Sequence, residues 1–129
     1  MAQRLRDTGL SVDGLLSSTA KRARKTGRVF ADAFGVGKSR FLTDEALYLA
    51  GPRTIEAAIR SLPEEWDSVL LFGHNPGYTE LANRLLHEET LENVPTCGII
   101  GSACDVSQWA DWSLVSARRT RFLYPKQLS

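Results

Sequence analysis

The chain has 129 residues, of which 43% are hydrophobic and 24% charged, with a formal net charge of +1. That length supports one domain with a real core but not two, and the composition is that of an ordinary globular protein. So slight a charge gives no warrant for a nucleic-acid or membrane partner recruited by global electrostatics. No apolar run approaches membrane-spanning length and Met1 to Gly9 is polar, so neither a transmembrane segment nor a signal peptide is expected.

The start of the chain is unusual. Met1 to Arg6 reads as the tail of an amphipathic helix, with Met1 and Leu5 on one side and Gly9 closing it. It has no N-cap and no first turn, so either the chain begins inside a secondary element or a short first turn frays. Gly14-Leu15-Leu16-Ser17 reads as a short strand. Ser18 can cap a following helix whose inward face is Ala23, Thr26, Phe30 and Ala33, with Gly35 as its C-terminal glycine. An extended piece around Phe41 and a loop through Ala50-Gly51 follow. Pro52 opens a helix carrying Ile55, Ala58, Ile59 and Leu62 on one stripe, and Pro63 stops it.

The run Val69-Leu70-Leu71-Phe72 is short and without alternation, which predicts a strand buried on both faces of a parallel sheet. Gly73-His74-Asn75-Pro76-Gly77 comes next. Asn75 can N-cap a helix, Pro76 suits its first position, and Tyr78, Leu81, Ala82 and Leu85 repeat at helical spacing. His74 should therefore stand at the carboxyl end of a strand beside the positive end of a helix, where open α/β sheets bind ligands and anions are favoured. After a polar loop from His87 to Pro95 the chain turns β-rich, with candidate strands at Cys97 to Cys104, Trp112 to Val115 and Arg121 to Tyr124. Strands alternating with helices predict an α/β fold with a mostly parallel sheet. Strand order cannot be read from the pattern.

A second feature is Ser17 to Thr26. Helix dipoles favour acids in the first turn, yet Lys21 and Arg22 occupy it, with Arg24 and Lys25 close behind. This placement suits a nearby phosphate or carboxylate, and Arg22 is the best candidate because a guanidinium can bind two oxygens at once. Lys21, Lys25 and Arg28 lie mostly on one side and read as a solvated face. In a parallel sheet both strand ends share one rim, so Arg22 and His74 can converge on one anion.

Other constellations carry less. Gly35-Val36-Gly37-Lys38-Ser39 resembles the end of a phosphate-binding P-loop, but Asp32 stands where its first glycine belongs and helix precedes it instead of a strand. Asp44, Glu45, Glu64, Glu65, Glu88 and Glu89 form no general-acid pattern. Trp109 and Trp112 read as packing residues. Cys97 and Cys104 are spaced for opposite faces of a strand, which argues against a mutual disulfide, and no metal-type spacing involves the two histidines. Cytosolic location is the expectation.

Taken together the motifs resemble the histidine phosphatase superfamily, specifically its small phosphohistidine phosphatases of SixA type. The matching stretches are Leu16-Ser17-Ser18-x-Ala20-x-Arg22-Ala23-Arg24-x-Thr26, Leu47-Tyr48, Leu70 to Gly77, Glu80 to Asn83, Pro95 to Gly98 and Tyr124-Pro125-Lys126, in family order over nearly the whole chain. The resemblance implies a three-layer α/β/α sandwich of the phosphoglycerate mutase-like kind and metal-independent phosphoryl hydrolysis through a phosphohistidine intermediate, without a cofactor. The implied substrate is a phosphohistidine-bearing protein or a small phosphorylated compound, and the acid-poor loops match members whose leaving group is an imidazole. By motif position Arg22 corresponds to a phosphate-binding arginine, and His74 to the pocket histidine that stabilises the phosphoryl group in flight. Family members open with a strand ending in Arg-His, whose histidine attacks phosphorus; this sequence contains no Arg-His pair. It is therefore expected to be a single domain, residues 1–129, that is N-terminally incomplete by about 30 to 40 residues, the size of one βα unit. Weak stability and little turnover follow, with a non-catalytic phospho-ligand binding module or an inactive relic as the alternative.

Overall fold

The computed structural model describes residues 2–73, 77–85, 99–103, 106–113 and 117–123. In chain order the elements are α1 (Ala2–Arg6), β1 (Gly14–Ser17), α2 (Lys21–Phe34), β2 (Phe41–Thr43), α3 (Pro52–Arg60), β3 (Val69–Phe72), α4 (Gly77–Arg84), β4 (Ile99–Ala103) and β5 (Arg118–Leu123). They fall into two compact units, Met1–Tyr48 with Pro63–His74, and Leu49–Leu62 with Asn75–Ser129.

The first unit is built on a parallel sheet of order β2-β1-β3. β1 is its middle strand: Leu15, Leu16 and Ser17 pair with Phe41, Leu42 and Thr43 on one side, and Gly14 to Ser17 pair with Val69 to Phe72 on the other. All four β1 residues are buried. Side chains in line across a parallel sheet share a face. Leu15, Phe41 and Leu70 thus lie on the same face as Ser17, Thr43 and Phe72, and this face carries α2. The contact is close. A Cβ on Gly27 of α2 would stand 2.9 Å from Phe41 Cζ and 3.5 Å from Phe72 Cδ2. Phe30 stacks obliquely on Phe72, with ring centroids 5.2 Å apart at 56°, and α1 packs on α2 through Leu5, which is buried. On the opposite face the indole of Trp66 covers Gly14 so tightly that a Cβ there would overlap the ring.

The inward face of α2 is Ala23, Gly27, Phe30 and Ala31, not the expected set with Thr26 and Ala33. Thr26 is exposed and its hydroxyl donates to the Arg22 carbonyl one turn back, at 3.1 Å. A glycine, not a β-branched residue, is what the aromatic pair beneath the helix admits. Gly35 closes α2 as anticipated, at φ +68°, its N–H reaching the carbonyls of Ala31 and Asp32. Gly9 likewise follows α1 at φ +84°. Phe30 to Phe34 is helix, which removes the strand that a P-loop requires.

The run Val69–Phe72 is half-buried along its length, whereas the sequence predicts burial on both faces. Its ladder to β1 uses one edge, and among the described residues nothing pairs with the other. An apolar strand is covered only as far as its neighbours reach.

In the second unit Pro52 starts α3 as expected, and Ile55, Ile59 and Leu62 are buried. α3 packs on α4 and on a 3₁₀ turn at Trp109–Asp111, to which Arg60 Nε donates at the Ala110 carbonyl over 2.8 Å. Trp112 is buried, in agreement with a packing role, but it and Ser113 are not strand. β4 and β5 form a separate antiparallel pair with a bulge between Gly101 and Ser102. β5 begins at Arg118, three residues before the predicted start. Cys97, Cys104, His87 and residues 124–129 lie outside the described residues.

The glycine contacts make a direct prediction. Gly27→Ala and Gly14→Ala should each lower stability by about 1–3 kcal/mol through overpacking, read as a reduced urea midpoint. Gly37→Ala, where a Cβ meets nothing within 4 Å, should change it little.

Candidate functional site

The two ladders of β1 run past the ends of the strands. Beyond Ser17, the Ser18 N–H donates to the Phe72 carbonyl at 3.0 Å, and the Asp44 N–H donates to the Ser17 carbonyl at 2.9 Å. The carboxyl ends of all three strands are thus tied into one rim. From it Ser18 turns the chain into α2.

Ser18 does not cap that helix. The N-cap is Ala20, which has no side chain to offer, and Ser18 Oγ accepts from the Ala20 N–H at 3.4 Å. Ser18 is fully buried, its backbone committed to the sheet. The first helical hydrogen bond is Arg24 N–H to the Ala20 carbonyl, so the N–H groups of Lys21, Arg22 and Ala23 have no acceptor within the helix. No acid lies in this first turn, whereas α4 carries Glu80 in its first turn and Arg84 in its last. Lys21 and Arg22 are exposed on the rim. Arg24 is half-buried, and its Nε is buried without a hydrogen-bond partner among the described residues. The start of α2 therefore concentrates backbone donors, dipole and two exposed cations, a combination that suits an oxyanion of high charge density.

The neighbouring strand end belongs to Phe72, in register with Ser17. Gly73 follows it and is exposed. His74, Asn75 and Pro76 lie outside the described residues; β3, the strand that leads to His74, is described. No cluster of three or more His, Cys, Asp or Glu able to hold a metal occurs among the described residues. Asp44 is taken up locally, its carboxylate accepting from the Ala46 N–H at 2.9 Å. A recess of about 340 Å³ lined by Asp13, Arg40, Glu65 and Trp66 lies at the opposite ends of the strands, away from this rim.

Tyr78, on the first turn of α4, was legible only as part of an apolar stripe. Its hydroxyl is buried with no partner among the described residues, and this desolvation pushes its ionisation well above the ordinary tyrosine range.

No family model matches this chain, and no curated protein matches it. Solved structures do. A chain assigned as the phosphohistidine phosphatase SixA of Nakamurella multipartitia superposes with a TM-score of 0.74 at 24% identity, over 96% of this chain and 77% of that one. A second, assigned as SixA of Agrobacterium tumefaciens, superposes with a TM-score of 0.75 at 26% identity, over 96% and 75%. The chain has a SixA-type fold. The α/β architecture with its parallel three-stranded sheet, expected from the alternation of elements, is what these SixA structures share with it.

Burial of the Tyr78 hydroxyl has a measurable consequence. The folded state holds the phenol proton more tightly than the unfolded chain does, so stability is unaffected below about pH 10 and falls as pH rises above it. Tyr78→Phe should abolish that alkaline loss and, by deleting a buried hydroxyl that has no partner among the described residues, raise stability at neutral pH by roughly 1 kcal/mol. Thermal denaturation from pH 7 to 11 reads both effects.

Proposed function

We propose that this SixA-type chain serves phosphohistidine chemistry, receiving the phosphoryl group of a phosphohistidine-bearing protein or of a small phosphorylated compound at the rim where β1 and β3 end. The observation that carries this reading is the start of α2: an uncapped helix beginning at the carboxyl end of the central strand, with Lys21 and Arg22 where acids normally stand. Arg22 would hold two phosphoryl oxygens, and the N–H groups of the first turn would neutralise a third. His74, two residues beyond the end of β3, would add a donor to the phosphoryl group as its charge redistributes. The SixA assignment of the superposed structures supports a phosphohistidine substrate over other phosphomonoesters.

In this reading the 129 residues supply electrostatic stabilisation and not the attacking group. They contain no Arg-His pair, and nucleophilic catalysis without its nucleophile leaves anion binding alone. The half-buried β3, with one edge unpaired among the described residues, suits a further strand bearing that nucleophile. The chain as it stands is accordingly proposed to bind phosphate without releasing it from a substrate. Cytosolic residence and independence of metal belong to the same proposal; among the described residues no helix is long and apolar enough to cross a membrane.

Inorganic phosphate at about ten times its dissociation constant should raise the melting temperature by about 5 °C. Arg22→Ala and His74→Ala should each raise that dissociation constant about tenfold or more, cutting the shift at the same phosphate concentration to roughly a third. In a form extended by an N-terminal strand ending in Arg-His, phosphohistidine hydrolysis should appear and be lost in both variants. Unchanged phosphate responses in Arg22→Ala and His74→Ala would remove the site assignment.

A further inference from the structure

α2 divides into two faces. Ala23, Gly27, Phe30 and Ala31 are buried, while Lys21, Arg22, Lys25, Arg28, Val29 and Asp32 are exposed on the other side. Four of those six are cations, and at helical spacing Lys21, Lys25 and Arg28 form one row that begins at the phosphate-reading rim. Like charges three and four residues apart repel, and among the described residues none of the four has an ion-pair partner. The only acid on this face is Asp32, three turns from the rim. Val29 lies within the row and is 60% exposed. The chain as a whole carries only +1, so this row is a local concentration of positive charge and not a share of a general one.

We propose that the exposed row Lys25, Arg28 and Val29 is a docking strip for an acidic protein surface, the surface that surrounds the phosphorylated side chain delivered to Arg22. This rests on the proposed function and names its substrate class: a protein whose phosphorylated residue is flanked by acids, not a free small molecule. Charge complementarity selects an acidic partner, and the row's direction leads that partner's flank from the rim along α2. Val29 adds an apolar contact of the kind that protein interfaces desolvate, whereas a nucleic-acid strip would interleave aromatic residues for stacking. Lys21 and Arg22 read the phosphoryl group; Lys25 and Arg28 read what surrounds it.

The test is fluorescence anisotropy with the 129-residue chain and three labelled peptides. Two carry a non-hydrolysable phosphohistidine analogue, one flanked by glutamates and one by glutamines; the third is Glu-flanked and unphosphorylated. The Glu-flanked phosphopeptide should bind about tenfold more tightly than the Gln-flanked one, with the difference falling as salt rises. The double variant Lys25→Gln/Arg28→Gln should erase that difference and weaken the unphosphorylated acidic peptide, yet leave the Gln-flanked phosphopeptide unchanged. A charge-matched control, Arg6→Gln/Lys38→Gln, should preserve the preference. Equal affinity for the two phosphopeptides, or a preference that survives the double variant, would overturn the strip. So would tighter binding to anionic vesicles or to duplex DNA than to the Glu-flanked peptide. If Arg22→Ala leaves phosphopeptide binding unchanged while the double variant abolishes the acidic preference, the strip stands and the phosphate site falls.

Discussion

Two parallel ladders on a four-residue strand, Gly14–Ser17, hold together what the first unit presents. Parallel pairing aligns like ends. Because Ser17 is in register with both Thr43 and Phe72, and both ladders continue one residue further, three chain segments leave the sheet at the same level. The start of α2 and the approach to His74 are two of those three exits. Burial of β1 on both faces makes this alignment hard to change. A one-residue slip would turn Leu15 and Leu16 onto the wrong faces and carry Ser17 away from Phe72.

The second constraint is the approach of α2 to the sheet. Gly27 over Phe41 and Phe72, with Phe30 against Phe72, leaves little space for the helix to shift. Its first turn is therefore set relative to the rim by packing one and two turns further along. This division of labour explains why the first turn can tolerate Lys21 and Arg22, an N-cap at Ala20 without a side-chain hydrogen bond, and a buried Arg24 Nε that has no partner among the described residues. Each costs some helix stability, and the aromatic contact behind them offsets it. A helix start can break the ordinary helix-end preferences when the core beneath holds the helix in place.

Much of this was legible in the residues. The two strands Gly14–Ser17 and Val69–Phe72 are short apolar runs bounded by turn residues, and both were placed within a residue. The closures at Gly9 and Gly35 follow from the need for positive φ. What escaped depends on partners that local pattern does not encode. Thr26 and Gly27 are neighbours, and which of them faces inward is decided by two phenylalanines far apart in the chain. The half-exposure of β3 likewise depends on what lies beside it, not on its own composition. For the site, the cations of α2 were visible as a violation of helix-dipole preference, and Arg22 is exposed in the first turn of that helix. His74 was singled out by sequence, and its imidazole lies outside the described residues. The buried hydroxyl of Tyr78 had no sequence signal beyond an aromatic in an apolar stripe.

The central claim is that the start of α2 and the end of β3 read one phosphoryl anion together. Amide chemical-shift mapping by NMR during a titration with inorganic phosphate tests it most directly. The account predicts that the N–H resonances of Lys21, Arg22 and Ala23 move together with that of Gly73, along one binding isotherm. Shifts confined to the exposed row of Lys25 and Arg28, or separate isotherms for the two segments, would contradict it.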